Sequence, residues 1–525
     1  MRRGVATADE VSPTAPSTRP TTPRLRIPMP DPVIPVIALV SLVVYLLHGF
    51  DKALTRDLSV YTYGGQRFLD GEPPYVGILN RAGPLAHALP GVGIWLGRLV
   101  GFGDIHGARV FFMLLSIACV CLVYVVTRDL TRSRSAAVIA AVAFLGFQGF
   151  LDLATNGPRE KTPMVLFLLV MILAVRHRRW ATAGVFIALA TLTWQPVFFV
   201  AAATAFVGAM LVPDGRRLRA LSRIAVGGIA PTLVVLAYFA AHGALRTFWD
   251  AFYLINAEYT SQPGVFAFFD ANWASLRSGY GPSLAVILLG LAALPVPAVR
   301  SARIAWRSRE VVRATYVALG AGWLAGMVWC AIAFNGWPDL FVMLPLAAIG
   351  VGWAASAVLR RIPVRPAVAA TVALALVGTA YATDFSISSR ASDLQMQRDS
   401  VSAVLAAGPQ PATILSIEAP QALVMTHRVN PTAYQMYDHG FSSYIDATYP
   451  GGLAGYVASI QRIAPTYIVV KTGFEQTWFM PWLTEHYVRV GNTRRFAWWV
   501  ERSVPPDQRK EIRAAAKAAK EESRS

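Results

Sequence analysis

The sequence predicts an α-helical polytopic membrane protein of about eleven spans, with a small extracytoplasmic α/β domain towards its C-terminus. Three observations lead there. The 525 residues are 55% hydrophobic and 15% charged, where soluble domains carry about 25% charge, and the mean hydropathy is +0.45. Apolar runs recur from residue 33 to residue 383, and the arginines between them alternate in density from one connection to the next. The formal charge of +18 sits in short clusters between apolar runs, as it does where it orients membrane helices, so a nucleic-acid partner is not expected.

Taken in order, residues 1–32 form a Pro/Thr-rich stretch without an apolar core or a small-residue cleavage site, read as a disordered cytoplasmic tail. The spans are expected at 33–50, 108–127, 135–151, 162–175, 181–194, 196–212, 224–242, 283–299, 314–334, 340–359 and 366–383, making 33–384 one transmembrane domain. Arg128, Arg132 and Arg134, then Arg176, Arg178 and Arg179, then Arg216, Arg217, Arg219 and Arg223, fall on the side of the N-terminal tail. Arg300, Arg303, Arg307, Arg309 and Arg313, and later Arg360, Arg361 and Arg365, join them. By the positive-inside rule that side is cytoplasmic, and the first long loop, 51–107, faces outward across the plasma membrane.

An odd number of spans puts 385–503 outside as well. There ATILSIE (412–418), TYIVVK (466–471), HYVRVG and RRFAWWVE read as short strands, and Leu453, Tyr456, Val457 and Ile460 mark a helix. Residues 504–525 are charged and Ala-rich, a solvated helix or tail. Cys119, Cys121 and Cys330 all lie in apolar runs and offer neither a disulfide framework nor a paired-cysteine zinc site.

The first loop is too long for a turn and too patterned for a linker. Asp57, Tyr61, Gly64 and Phe68 recur at helical spacing, placing one carboxylate on a face with aromatic rings. Leu85, Ala88, Leu89, Val92, Trp95, Leu96 and Leu99 make a second stripe, too short to span and suited to lying in the membrane interface.

These features together resemble the bacterial GT-C glycosyltransferases: about eleven spans, an acid (Asp57) soon after the first, the basic-plus-Pro element Arg81, Gly83, Pro84, Leu85, and an α/β tail outside. The nearest likeness is to the protein O-mannosyltransferase-like and lipid A aminoarabinose transferase-like branch. That branch often carries Asp-Glu and Lys-Pro-Pro-Leu where this chain has Asp57-Leu58 and Arg81-Ala82-Gly83-Pro84-Leu85. The resemblance implies a polyprenyl-phosphate-linked sugar donor, mannose among the candidates, a lipid, glycan or protein acceptor, and an inverting transfer. It implies no required cofactor and leaves a divalent metal open.

The chemistry asks for the same parts. Moving a sugar from a lipid phosphate to a hydroxyl needs a base near the acceptor, for which Asp57 is the candidate and Asp152 a second acid. The leaving phosphate gains charge, which a cation stabilises; Arg81, and Arg159 with Lys161 in TNGPREKTP, are the candidates. Plainer readings stand beside these. Asp57 also fits a helix cap, Arg81 a contact to anionic headgroups, and Arg159 and Lys161 an ion-pair cluster with Glu160. His87 and His106 read as packing or interfacial residues rather than metal ligands. Trp249, Tyr253 and Tyr259 fit an aromatic belt before a sugar platform. The rival from another class is a transporter or lipid flippase, which would show ionisable residues at mid-span and matched broken helices.

Overall fold

The structure is a computed structural model and describes residues 31–212, 215–260, 269–308, 310–493 and 495–522. Apart from Asp31 and Pro32, the expected N-terminal tail lies outside the described residues. Each stretch expected to span carries helix, with 135–151 broken between two helices and 340–359 beginning in a 3-10 turn. In order, α1 (Val33–His48) enters the bundle, α2 (Arg56–Leu69) and α3 (Leu85–Leu99) fill the first loop, and α4 (Asp104–Thr131) returns. Then come α5 (Arg134–Leu145), α6 (Gln148–Asn156), α7 (Lys161–Arg176), α8 (Trp180–Thr191), α9 (Val197–Met210) and α10 (Arg217–Ala241). A short α11 (Leu245–Trp249) runs into a π-helical turn at Asp250–Tyr259, and α12 (Phe269–Tyr280), α13 (Ser283–Ala293), α14 (Pro295–Ser308) and α15 (Val311–Ala333) follow. A 3-10 turn at Trp337–Met343 leads into α16 (Leu344–Leu359), and α17 (Val364–Ser388) closes the bundle.

Six of these segments are long and apolar enough to cross a membrane by length and composition, and seven if the pair α5 and α6, bent by 64°, counts as one. Helices α1, α8 and α9 are equally apolar but shorter. Of the spans expected at 162–175 and 181–194, the second is shorter as α8, with 12 residues, whereas α7 extends to 16 by taking in Lys161 and Arg176.

The first loop owes its shape to small residues. Thr55 caps α2, its hydroxyl 3.4 Å from the Leu58 amide. A Cβ on Gly65 would meet the Gly91 backbone at 2.8 Å, so the Gly64-Gly65 pair lets α2 lie directly on α3. A Cβ on Gly97 would come within 2.4 Å of Gly107, which brings α3 equally close to α4. With its glycine face spent on packing, α3 leaves Val92, Trp95, Leu96 and Leu99 exposed, an apolar stripe of the kind that lies in a membrane interface.

After α18 (Leu394–Ala406), the four predicted strands form one sheet. It contains β1 (Ile414–Ile417), β2 (Tyr467–Lys471), β3 (Tyr487–Thr493) and β4 (Phe496–Glu501), in the order β1-β2-β4-β3. The β1–β2 pair is parallel and the others antiparallel. Helices α19 (Gln421–Thr426), α20 (Phe441–Thr448), α21 (Gly452–Ile463) and α22 (Met480–His486) lie between the strands. The charged C-terminal segment takes the helical form among its expected states, mostly exposed, with one buried edge. It forms α23 (Pro506–Glu522), and Ile512 and Ala516, one turn apart, are buried against the sheet, where a Cβ on Gly491 would collide with Ala516.

Sidedness is testable at positions the fold leaves accessible. Single cysteines at Asp70 and Ser443, both exposed, in a background lacking Cys119, Cys121 and Cys330, are expected to react with an impermeant thiol reagent on intact cells, while one at Ser222 stays protected. Labelling at Ser222 alone would reverse the orientation.

Candidate active site

Asp57 sits in the first turn of α2. The capping role belongs to Thr55, and the Asp57 carboxylate instead meets two arginines, one per oxygen. Arg56 Nε lies 3.0 Å from Oδ1 and Arg159 Nη1 2.7 Å from Oδ2. Burial pushes the Asp57 pKa up, but Arg159 and then Arg56 outweigh it and hold the carboxyl well below the usual range. The side chain keeps 40% of its surface exposed, and each oxygen retains acceptor capacity beyond its arginine. The arginine from the α6–α7 connection also lies over the ring of Tyr61, one turn along α2, at 5.8 Å.

The charges continue inward. Arg159 Nε is 3.2 Å from Glu160 Oε2, close but not aligned for a hydrogen bond. Lys161 Nζ reaches Glu160 Oε1 at 2.9 Å and Asp339 Oδ1 at 3.0 Å, and stands 4.9 Å from the ring of Trp194. Arg159 is 12% and Lys161 5% exposed, so both lie inside the protein, Lys161 opening α7 beside the end of α8. The ion-pair cluster read from Arg159-Glu160-Lys161 is present, and the same cluster touches Asp57. Lys161→Ala would leave Glu160 and Asp339 buried with one cation fewer, and is expected to cost about 3 kcal/mol. A lowered melting midpoint in detergent checks this; an unchanged midpoint would mean that the cluster contributes nothing to stability.

Arg81 reaches the same neighbourhood by a backbone route. A Cβ on Gly83 would collide with the Leu192 carbonyl, and the amides of Gly83 and Leu85 donate to Thr193 and Leu192, each at 3.1 Å. This docks the Arg81–Leu85 element on the end of α8. The Arg81 carbonyl accepts from Gln195 at 2.8 Å and Asn256 at 3.0 Å. The guanidinium has only a 3.4 Å contact to the Thr260 hydroxyl, and among the described residues no carboxylate lies within ion-pair distance of it. Burial disfavours its charge, an effect that Asp339, Tyr61 and Asp57 offset only in part. Among the described residues Arg81 is therefore a cation without an anionic partner.

Asp152 lies in a separate cluster: Lys52 Nζ is 2.6 Å, Asn156 Nδ2 3.2 Å and His48 Nε2 3.5 Å from its Oδ1. His87 is a packing residue, its ring fully buried against Gly64 and Tyr75, with burial pushing its pKa down to about 4. His106 Nε2 lies 3.0 Å from Asp51 Oδ1. Trp249 and Tyr253 are half exposed, their rings 4.7 Å apart, while Tyr259 packs edge-on against Tyr444.

Sequence reasoning missed Arg56, Asp339, Glu418 and Asp438. Arg56 Nη1 contacts Glu418 Oε2 at 2.5 Å and Asp438 Oδ2 at 2.6 Å, both from the C-terminal unit. A basic residue next to the candidate acid was the one available signal. It also missed Arg109, buried in α4, which donates to the carbonyls of Lys52 at 2.7 Å, Gly157 at 3.3 Å, and Phe50. This ties the start of the first loop to the turn that carries Arg159.

The bundle of apolar helices, the helical first loop carrying an acid and an arginine with no carboxylate partner among the described residues, and the trailing α/β sheet make up a fold shared with solved proteins. A family model described as dolichyl-phosphate-mannose-protein mannosyltransferase matches residues 91–242. The chain is similar in structure to ArnT from Cupriavidus metallidurans in its apo state, at 14% identity and TM-score 0.51, covering 92% of this chain and 98% of that one. ArnT bound to undecaprenyl phosphate gives 14% identity and TM-score 0.52, with 89% and 97% covered. The Archaeoglobus fulgidus oligosaccharyltransferase, in complex with Zn and sulfate, gives 17% identity and TM-score 0.50, with 89% and 73% covered. No curated protein matches the chain in sequence.

Proposed function

We propose that this protein is an integral-membrane glycosyltransferase of about eleven spans, several of them short, acting at the outer face of the plasma membrane. It takes a sugar from a polyprenyl-phosphate donor and passes it, with inversion, to a lipid, glycan or protein acceptor. The observation that carries the reading is the pairing, on one loop, of an accessible, ionised Asp57 with an Arg81 that has no carboxylate partner among the described residues. The acceptor hydroxyl oxygen attacks the anomeric carbon while the bond from that carbon to the phosphate oxygen breaks. Its proton passes to Asp57, and the charge gained by the leaving phosphate falls to Arg81. A single displacement inverts the anomeric centre. Arg159 and Lys161, each already paired with carboxylates, define the inner wall and supply positive potential to a phosphate beside them.

A solved relative of the same fold bound to undecaprenyl phosphate supports a lipid-phosphate donor, and mannose is favoured by the family description. The displacement as written needs no metal, and turnover is expected to persist in EDTA; loss of turnover restored by a divalent cation would assign a metal to the site.

Comparative lipidomics of a deletion strain and its parent tests the reading. Accumulation of a polyprenyl-phosphate sugar, together with transfer from that lipid by the purified protein, is expected. An unchanged donor pool with no transfer, alongside altered movement of lipid between leaflets, would favour the transporter or flippase instead.

A further inference from the structure

We infer that Glu418 and Asp438 are positioning residues of the transfer site, holding Arg56 against Asp57 so that the C-terminal sheet completes the catalytic centre. The inference rests on the role given to Asp57 above.

Strands β1 and β2 are parallel and end side by side, Ile417 paired with Val470. The carboxyl ends of parallel strands are where α/β sheets present their binding groups. Here Glu418 follows β1, Lys471 ends β2, and Asp438 stands beside both. The group they receive is the guanidinium of Arg56, from a helix more than three hundred and fifty residues earlier in the chain.

Glu418 is built for one orientation. Fully buried, it holds a left-handed backbone at φ +56°, which a non-glycine residue adopts only under constraint. Its Oε1 accepts from the amides of Tyr437 at 2.5 Å and Asp438 at 2.9 Å, which leaves Oε2 aimed at Arg56 Nη1 at 2.5 Å. Asp438 Oδ2 takes the same Nη1 at 2.6 Å and is steadied by Lys471 Nζ at 3.3 Å. With Nη1 held by two carboxylates, the guanidinium plane is fixed and Nε is directed at Asp57 Oδ1. Arg159 secures Oδ2, so the Asp57 carboxylate cannot rotate. A base held at a set angle to the acceptor oxygen is worth far more than one that samples many.

Docking of the C-terminal unit does not need this cluster. The Leu79 amide donates to the Ala433 carbonyl at 2.9 Å, the Asn430 amide to the Tyr63 hydroxyl at 2.9 Å, and Gln397 bonds the Leu54 backbone at 2.8 Å and 3.2 Å. A buried carboxylate carries a desolvation cost that apolar docking avoids, and its retention beside Asp57 fits an orienting role.

The test uses the full-length protein in nanodiscs and two readouts. The first, mass-spectrometric labelling of Arg56 by phenylglyoxal, needs no turnover; the second is the split between kcat and donor KM. Asp438→Asn is expected to speed Arg56 labelling and lower kcat about tenfold, with donor KM and melting midpoint little changed. Glu418→Gln should do the same more strongly, and if it fails to fold, the partly exposed Asp438 carries the test alone. In an Arg56→Gln background, Asp438→Asn should add no further loss. Full additivity with Arg56→Gln, or unaltered kcat and labelling in Asp438→Asn while the wild type transfers sugar, would overturn the inference. Faster Arg56 labelling with no transfer by the wild type would overturn the glycosyl-transfer reading and uphold the clamp.

Discussion

Asp57→Asn is expected to lower turnover per folded molecule at least about a hundredfold, the usual cost of losing a general base. The change keeps the size of the side chain and an oxygen for the arginines while removing proton affinity. Its effect on folding should be small, because neither arginine is stranded. Arg56 keeps Glu418 and Asp438, and Arg159 keeps Glu160. Thr55, not Asp57, caps the helix. Were Asp57 only a counter-ion, the substitution would leave the rate per folded molecule intact. Transfer assays on purified protein, normalised to folded fraction, decide between these outcomes.

The same residue sets a pH expectation. The folded pKa of Asp57 lies below its ordinary value of about 4, since Arg159 and Arg56 outweigh burial. Its ion pairs therefore stabilise the fold above about pH 4 and are lost only as pH falls through the folded value. In kcat/KM, Asp57 should contribute no acidic limb between about pH 5 and 7. A limb there that vanished in Asp57→Asn would contradict the arrangement of the two arginines. A carboxylate so well compensated is a weak base at rest, suited to taking a proton late, once the attacking oxygen has begun to bond to the anomeric carbon.

The sequence made the helices legible because each apolar run carries its own period and is bounded by charge, glycine or proline. Asp57 and Tyr61 on one face of α2, and the outward stripe of α3, followed from spacing alone. So did the four strands, whose β-branched and aromatic runs are short and set off by turn residues. What spacing could not show was partnership. Arg56 meets Glu418 and Asp438 only because the sheet folds back over the first loop, and Lys161 meets Asp339 only because the 3-10 turn before α16 reaches the mouth of α7. Both are products of topology, which one chain of letters does not encode locally. The buried edge of helix α23 was not legible for a related reason: Ala516 is too small to advertise a buried stripe, and its contact is visible only opposite Gly491.

Arg81→Gln should reduce kcat by about 10²- to 10³-fold, the range seen when one donor aimed at developing charge is removed. The argument turns on which cations are uncommitted. Arg159 is shared between Asp57 and Glu160, and Lys161 between Glu160 and Asp339, so a donor phosphate would have to compete with carboxylates for either. Arg81 has a hydroxyl contact at 3.4 Å and no carboxylate among the described residues, and its carbonyl is fixed by Gln195 and Asn256 so that the side chain departs from a rigid base. Such a cation costs no ion pair to recruit. Arg81→Lys keeps the charge but loses the planar fork that matches two phosphate oxygens, and should fall between wild type and Gln. The competing role, a contact to anionic headgroups, predicts something different: the defect would then depend on the bulk lipid and disappear in nanodiscs of zwitterionic lipid, where wild type and Arg81→Gln would turn over alike. A loss that is the same in neutral and anionic nanodiscs, expressed in kcat at saturating donor, assigns Arg81 to the leaving phosphate, because only a group that meets the charge as it forms can change the rate once the donor is already bound.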